Sequence, residues 1–327
     1  MIQIHPNRLI HAISLYQSEI DNHLETVRKR MTKWIKAESY KVKTVRYILS
    51  KQQIFYLRYM RSKLSHMVLM SSDNHLKYIS IYTKILSKDL MEFMPFKDKL
   101  LEVLDYELLR SGNKKTPALY PAFFSVLGIK ACVYCNAQLT ISAEKFDQSV
   151  SALFQLDHSI DKASYPCFAI SFFNLYPVCA SCNNNKGKKS ILFRLYSNNP
   201  NKLMASEYQF IFDKASIAEF RLTKDYSQIK FTFDDKGHGL NEHLAVQGIY
   251  RTQKDLAAEI ILKAEIYNQS YKEGLQKSFS KLYGKNGISN IDFNRFILGN
   301  YLDPRDIHKR PMAKFTQDIA RQLGLIP

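Results

Sequence analysis

Cys132-Val133-Tyr134-Cys135, Phe154-Gln155-Leu156-Asp157-His158 and Cys179-Ala180-Ser181-Cys182-Asn183-Asn184-Asn185-Lys186-Gly187-Lys188-Lys189 are the stretches on which the reading of this chain turns. Two C-x-x-C pairs brought together present four thiolates, the donor set of a tetrahedral structural zinc. Forty-three residues lie between Cys135 and Cys179, too many for a simple zinc ribbon, so a piece of structure must be inserted between the pairs. The expectation is one Zn2+ held by Cys132, Cys135, Cys179 and Cys182. The fifth cysteine, Cys167, falls inside the insert and reads as a small buried hydrophobe rather than a further ligand.

The insert carries a second signal. Residues 154–158 alternate as a half-buried strand does, which places Asp157 and His158 on opposite faces or at a strand end. Asn174 follows, and the second cysteine pair runs directly into Asn183 and the cations Lys186, Lys188 and Lys189. Each piece alone is ordinary: an Asp-His pair at a surface, an asparagine in a turn, a solvated Asn- and Lys-rich loop.

Outward from this centre, the chain of 327 residues is 46% hydrophobic and 24% charged, which is globular composition and excludes a mainly disordered or collagen-like protein. Its 47 Lys+Arg against 30 Asp+Glu give a net charge of +17 and point to a polyanionic partner, nucleic acid before membrane. No apolar run is long enough to span a bilayer, and the first residues do not read as a signal peptide, so a cytoplasmic protein is expected. Paired thiols in a reduced compartment suggest metal rather than disulfides.

Residues 1–115 read as a basic helical region, with apolar periodicity over 9–24, 42–57 and 76–90. Between Arg28 and Lys63 stand twelve basic residues and one acid, Glu38. Arg28, Lys29, Arg30 and Lys33 lead this arm as candidate contacts to nucleic acid, and Trp34, Tyr40, Tyr47, Tyr56 and Tyr59 are either core or stacking platforms. The polar stretch 111–117 marks a boundary, 116–198 forms the cysteine-rich centre, and 199–327 follows as a β-hairpin from the runs 207–213 and 228–234 plus helices over 244–283 and 312–323. The fold class expected is α+β, mostly helical.

Taken in order, C-x-x-C, Asp-His, Asn and C-x-x-C-Asn-x-x-Lys resemble the HNH endonuclease superfamily, whose active unit is a two-stranded hairpin and a helix around one metal ion. The resemblance covers about residues 131–189 and implies a central ββα-metal unit that hydrolyses phosphodiesters. It implies His158 as general base, Asp157 and Asn183 as ligands of a catalytic Mg2+ or Mn2+, and Asn174 as the asparagine that braces the hairpin loop. Histidine supplies a base near neutral pH, and a hard cation stabilises charge on the phosphate. A helix starting near Cys182 would turn its amide ends toward an anion, and Lys186, Lys188 and Lys189 would meet the nucleic-acid backbone. Leu156-Asp157-His158, Tyr165-Pro166, Asn174-Leu175, Pro177 and Cys179 are further similar to HNH proteins of bacterial anti-phage defence, of the Septu-type and retron-associated kind, which implies an ATPase partner; Asp161 departs from the proline usual there. DNA is the favoured substrate and RNA, including tRNA, the alternative. A non-catalytic zinc-stabilised module that binds nucleic acid or a partner is the competing reading.

Overall fold

Local signals decide where the elements begin in the computed structural model, which describes residues 3–4, 6–146, 150–196, 207–283 and 289–327. The first region holds α1 (Pro6–Leu15), α2 (Gln17–Ala37), the strands β1 (Ser39–Val42) and β2 (Val45–Ile48), and α3 (Lys51–Val68). Helices α4 (His75–Ile85), α5 (Lys88–Glu92), α6 (Met94–Leu104) and α7 (Tyr106–Ser111) follow. Ser50 and Gln53 form a reciprocal capping box that fixes the start of α3.

That start corrects the helix expected over 42–57. Residues 39–48 instead form an antiparallel hairpin, with Ser39 opposite Ile48 and Val42 opposite Val45. The alternation Tyr40-Lys41-Val42 and Val45-Arg46-Tyr47 favours a pleated pair, and Lys43 takes the positive φ of 53° that a tight turn needs. The aromatic residues of the arm are core. Trp34, Tyr40 and Tyr56 are buried, with Trp34 packed at 5.5 Å from Tyr40 and 5.4 Å from Phe96.

The centre comprises α8 (Leu119–Val126), β3 (Ser142–Glu144), β4 (Val150–Ala152), β5 (Gln155–His158), β6 (Leu175–Val178) and α9 (Ala180–Lys186). Strands β5 and β6 pair antiparallel, Gln155 opposite Val178 and His158 opposite Leu175, and α9 begins at Ala180 with only Cys179 between it and β6. The chain thus makes a hairpin and a short helix in sequence, with one C-x-x-C preceding it and the other spanning its strand-to-helix junction.

Beyond it lie β7 (Gln209–Phe212), α10 (Lys214–Thr223), β8 (Phe231–Asp234), α11 (Leu240–Leu244), α12 (Val246–Arg251), α13 (Lys254–Ile266), α14 (Gln269–Tyr283), α15 (Asn290–Leu298) and α16 (Ala313–Gln322). Strands β7 and β8 pair antiparallel as expected, but α10 is inserted between them. The helix read over 244–283 is broken into α11's end, α12, α13 and α14. The boundary drawn at 198 lies outside the described residues. No helix among the described residues is long and apolar enough to cross a membrane.

Hydrogen bonds join the regions. Ile4 N–H donates to Leu195 O at 2.7 Å, and Tyr250 Oη donates to the Cys135 carbonyl at 2.9 Å. Asn136, in the left-handed region at φ 55° and fully buried, accepts at Oδ1 from Lys314 N–H (2.9 Å), donates from Nδ2 to Ile307 O (2.8 Å) and accepts at its carbonyl from Met312 N–H (2.7 Å). His308 is buried, and its carbonyl accepts from the N–H groups of Lys130 and Ala131.

Candidate metal centre and the adjoining cleft

Cys132, Cys135, Cys179 and Cys182 are all buried, and their four Sγ atoms lie within 4.8 Å of one another. A tetrahedral ion with bonds of about 2.3 Å sets its sulfurs roughly 3.8 Å apart, and Cys135 Sγ and Cys179 Sγ stand 4.0 Å apart. The donor set, burial and spacing fit a structural Zn2+. Burial pushes the Cys132 thiol well up, so a thiolate here calls for a cation. Backbone N–H groups already point at the sulfurs: Ala137 at Cys135 Sγ and Cys179 at Cys132 Sγ, both at 3.4 Å. Cys167 lies outside the cluster, buried beside Tyr56, and its thiol is pushed up to about 12 by burial.

The helix after β6 starts at Ala180 with Cys179 at its cap, close to the start near Cys182 that the sequence suggested, so its cap and first turn carry the second cysteine pair.

Asp157 and His158 are consecutive residues at the end of β5, so their side chains leave on opposite faces. Both are buried, at 5% and 6% exposure. Asp157 Oδ2 accepts from Tyr134 Oη at 2.5 Å, and its Oδ1 pairs with Lys186 Nζ at 3.0 Å. Burial pushes the Asp157 carboxyl up, while the charge of Lys186 and the Tyr134 hydroxyl pull it back. Lys186 is itself buried and also donates to the His158 carbonyl at 3.2 Å. It is not a surface cation, unlike Lys188 and Lys189, which are exposed.

His158 Nε2 lies 3.0 Å from Ala169 O. A carbonyl only accepts, so Nε2 carries the proton and Nδ1 keeps the lone pair. Burial and then the charge of Lys162 push the ring down to about 3, which keeps it neutral at physiological pH.

Asn174, fully buried, spans the connection between β5 and β6. Its Oδ1 accepts from Ile160 N–H at 2.7 Å, and its Nδ2 donates to Ile160 O at 3.0 Å and Phe168 O at 3.1 Å. Asp161 closes the same connection by accepting from Ala163 N–H, Ser164 N–H and Ser164 Oγ. Asn183, half-buried on α9, donates from Nδ2 to Gln155 Oε1 at 2.6 Å, which leaves its oxygen as the atom on offer.

Asp157, His158 and Asn183 come together as walls of one cleft of about 340 Å³, with Tyr106, Arg110 and Lys162. Sequence reasoning missed those last three, which come from α7 and the β5–β6 connection. It also missed the hydroxyl of Tyr134 on Asp157, because nothing local pairs residues 23 apart. Lys162 Nζ sits 4.3 Å from the Tyr106 ring centre. Arg28, Lys29, Arg30 and Lys33 do not line this cleft. They border two other clefts on α2, one of about 560 Å³ shared with Lys36 and Arg61 and one of about 550 Å³ shared with Tyr40 and Lys41.

No family model matches the chain, no curated protein matches it, and no solved structure matches it.

Proposed function

We propose that the chain is a metal-dependent nuclease of the HNH kind that hydrolyses phosphodiester bonds at the cleft between β5 and α9. The observation that carries this reading is the placement of Asp157, His158 and Asn183 around one cleft with the histidine tautomer fixed by Ala169. His158 takes the proton of the attacking water at Nδ1. Its burial makes it a weak base, and an arriving phosphate offsets the charge of Lys162 that also depresses it.

The oxygens of Asp157 and Asn183 would hold Mg2+ or Mn2+, a hard-oxygen set that such ions accept together with water and phosphate. The Asp157 carboxylate accepts from Tyr134 and Lys186 and has further lone pairs to give. Lys186 already neutralises the carboxylate, so phosphate oxygens must supply the remaining negative charge. When bound, the ion would stabilise charge on the phosphate and on the leaving oxygen. Tyr134 and Lys186 are positioning residues that aim Asp157, and Asn174 keeps the connection carrying Lys162 in shape. DNA is the substrate of this reading, and an ATPase partner in anti-phage defence belongs to it.

The pairing of Asp157 with Lys186 favours a second reading, a zinc-stabilised binding module without catalysis. Purified wild type and His158→Ala, given supercoiled plasmid and bulk tRNA with Mg2+ or Mn2+ against EDTA, decide between them. Metal-dependent cutting that drops by about 100-fold or more in the variant is expected, and the polymer consumed identifies the substrate. A folded, zinc-loaded wild type that cuts neither overturns the nuclease reading.

A further inference from the structure

Arg110, in the last turn of α7, borders two clefts. One is the His158 cleft, and the other is a polar cleft of about 630 Å³ next to it, whose walls include Lys114, Lys115 and Lys145. Among the described residues, Lys114, Lys115, Lys145 and Lys162 make no ion pair. On the α2 arm Arg28 and Lys29 approach Glu25 at 3.9 and 3.7 Å and Arg30 pairs with Asp105 at 2.7 Å, while among the described residues Lys33 and Lys36 make no ion pair either. What sets the loop lysines apart is that their cleft shares Arg110 with the His158 cleft, and the clefts on α2 do not. Arg110 itself pairs with the neighbouring Glu107 at 3.3 Å, with about half its side chain exposed.

The loop that carries Lys114 and Lys115 is built to a fixed shape. Gly112 has φ +65°, and a Cβ there would lie 2.6 Å from Ala118 N and 2.7 Å from Thr116 O, so only glycine fits. Asn113 Oδ1 accepts from Lys115 N–H and Thr116 N–H, both at 2.9 Å, and Asn113 N–H donates to Thr116 O at 2.8 Å. Both lysines are exposed on this turn. Unmatched cations on an ordered loop, continuous through Arg110 with the cleft of His158, form a track for a polyanion.

We infer that the backbone of the substrate nucleic acid leaves the His158 cleft over Arg110 and runs along Lys114, Lys115 and Lys145, and that the α2 arm is not its main seat. The inference rests on reading that cleft as the phosphodiester site.

The test measures binding of a fluorescent DNA duplex to full-length protein carrying His158→Ala, over a range of salt. Adding Lys114→Gln, Lys115→Gln and Lys145→Gln should weaken binding at least about tenfold and reduce the slope of log affinity against log salt by about 2 to 3, since each lost phosphate contact removes roughly 0.9. Lys29→Gln, Lys33→Gln and Lys36→Gln together should change the slope by less than about 1. A track variant with an unchanged slope, or an arm variant with the larger drop, overturns the inference; the same loss on a tRNA probe supports it equally. The substituted lysines are exposed, and zinc content verifies that each variant is folded. Cleavage by the track variant with His158 restored separates the two readings. If wild type cuts and neither slope nor KM moves, the track fails and the nuclease stands. If wild type cuts nothing and the slope still drops, the nuclease fails and the track stands.

Discussion

The cysteine cluster and the His158 cleft are built from the same few elements, yet they differ in how their polar atoms are satisfied. The four thiols meet mainly one another and a few N–H groups, an arrangement that a divalent cation completes. At the cleft, Asp157, His158 and Asn183 in its wall and Asn174 and Lys186 behind it each have a partner within the chain. Burial is common to both, so burial is not what separates them. The separating property is whether the chain supplies the counter-charge.

That contrast breaks first at the cluster. Removing metal by a strong chelator, or substituting Cys179→Ser, should unfold the chain, because structural zinc contributes on the order of 10 kcal/mol and whole domains are stable by about 5–15. Metal analysis should find about one zinc per chain in wild type and in Cys167→Ala. Retained thermal stability after complete zinc loss would refute the contrast.

The next largest effect lies in the cleft. Lys186→Met leaves the Asp157 charge buried without its partner and should cost about 3–5 kcal/mol in chemical denaturation, with Asp157→Asn added to it recovering much of the loss. A cost near zero for Lys186→Met would mean that the carboxylate finds solvent or another cation, and the cleft would then resemble the cluster. The smallest effect is expected at Asn183. Asn183→Ala gives up one half-buried hydrogen bond to Gln155 and should lower stability by about 1 kcal/mol, while the proposed cleavage activity falls far more steeply. Equal losses of stability and activity would make Asn183 a structural residue only.

The cluster was legible because two C-x-x-C pairs state a geometry in their own spacing. The strand 155–158 was legible by alternation, and the mostly helical α+β class by apolar periodicity. The hairpin 39–48 was not, because its lysines and β-branched residues also fit a basic amphipathic helix until the capping box at Ser50 is given weight. The roles of Tyr134 and Lys186 were hidden for another reason: each is defined by Asp157, 23 and 29 residues away. A lysine in an Asn- and Lys-rich run carries no local mark that it alone turns inward. The aromatic residues of the arm likewise took their core role from Phe96, on a helix far along the chain.

Asn136 ties the first cysteine pair to the far end of the chain. It belongs to the first cysteine pair's turn, but the groups that satisfy its side chain and carbonyl are supplied by Ile307, Met312 and Lys314. A ribosome-bound chain that has emerged only through Cys182 owns every sulfur of the cluster and lacks the segment that seals the turn behind it. Closure of that turn must therefore wait for residues translated more than a hundred positions after Cys182. Only when residues 307–314 dock does the turn behind the cysteines become a hydrogen-bonded part of the interior.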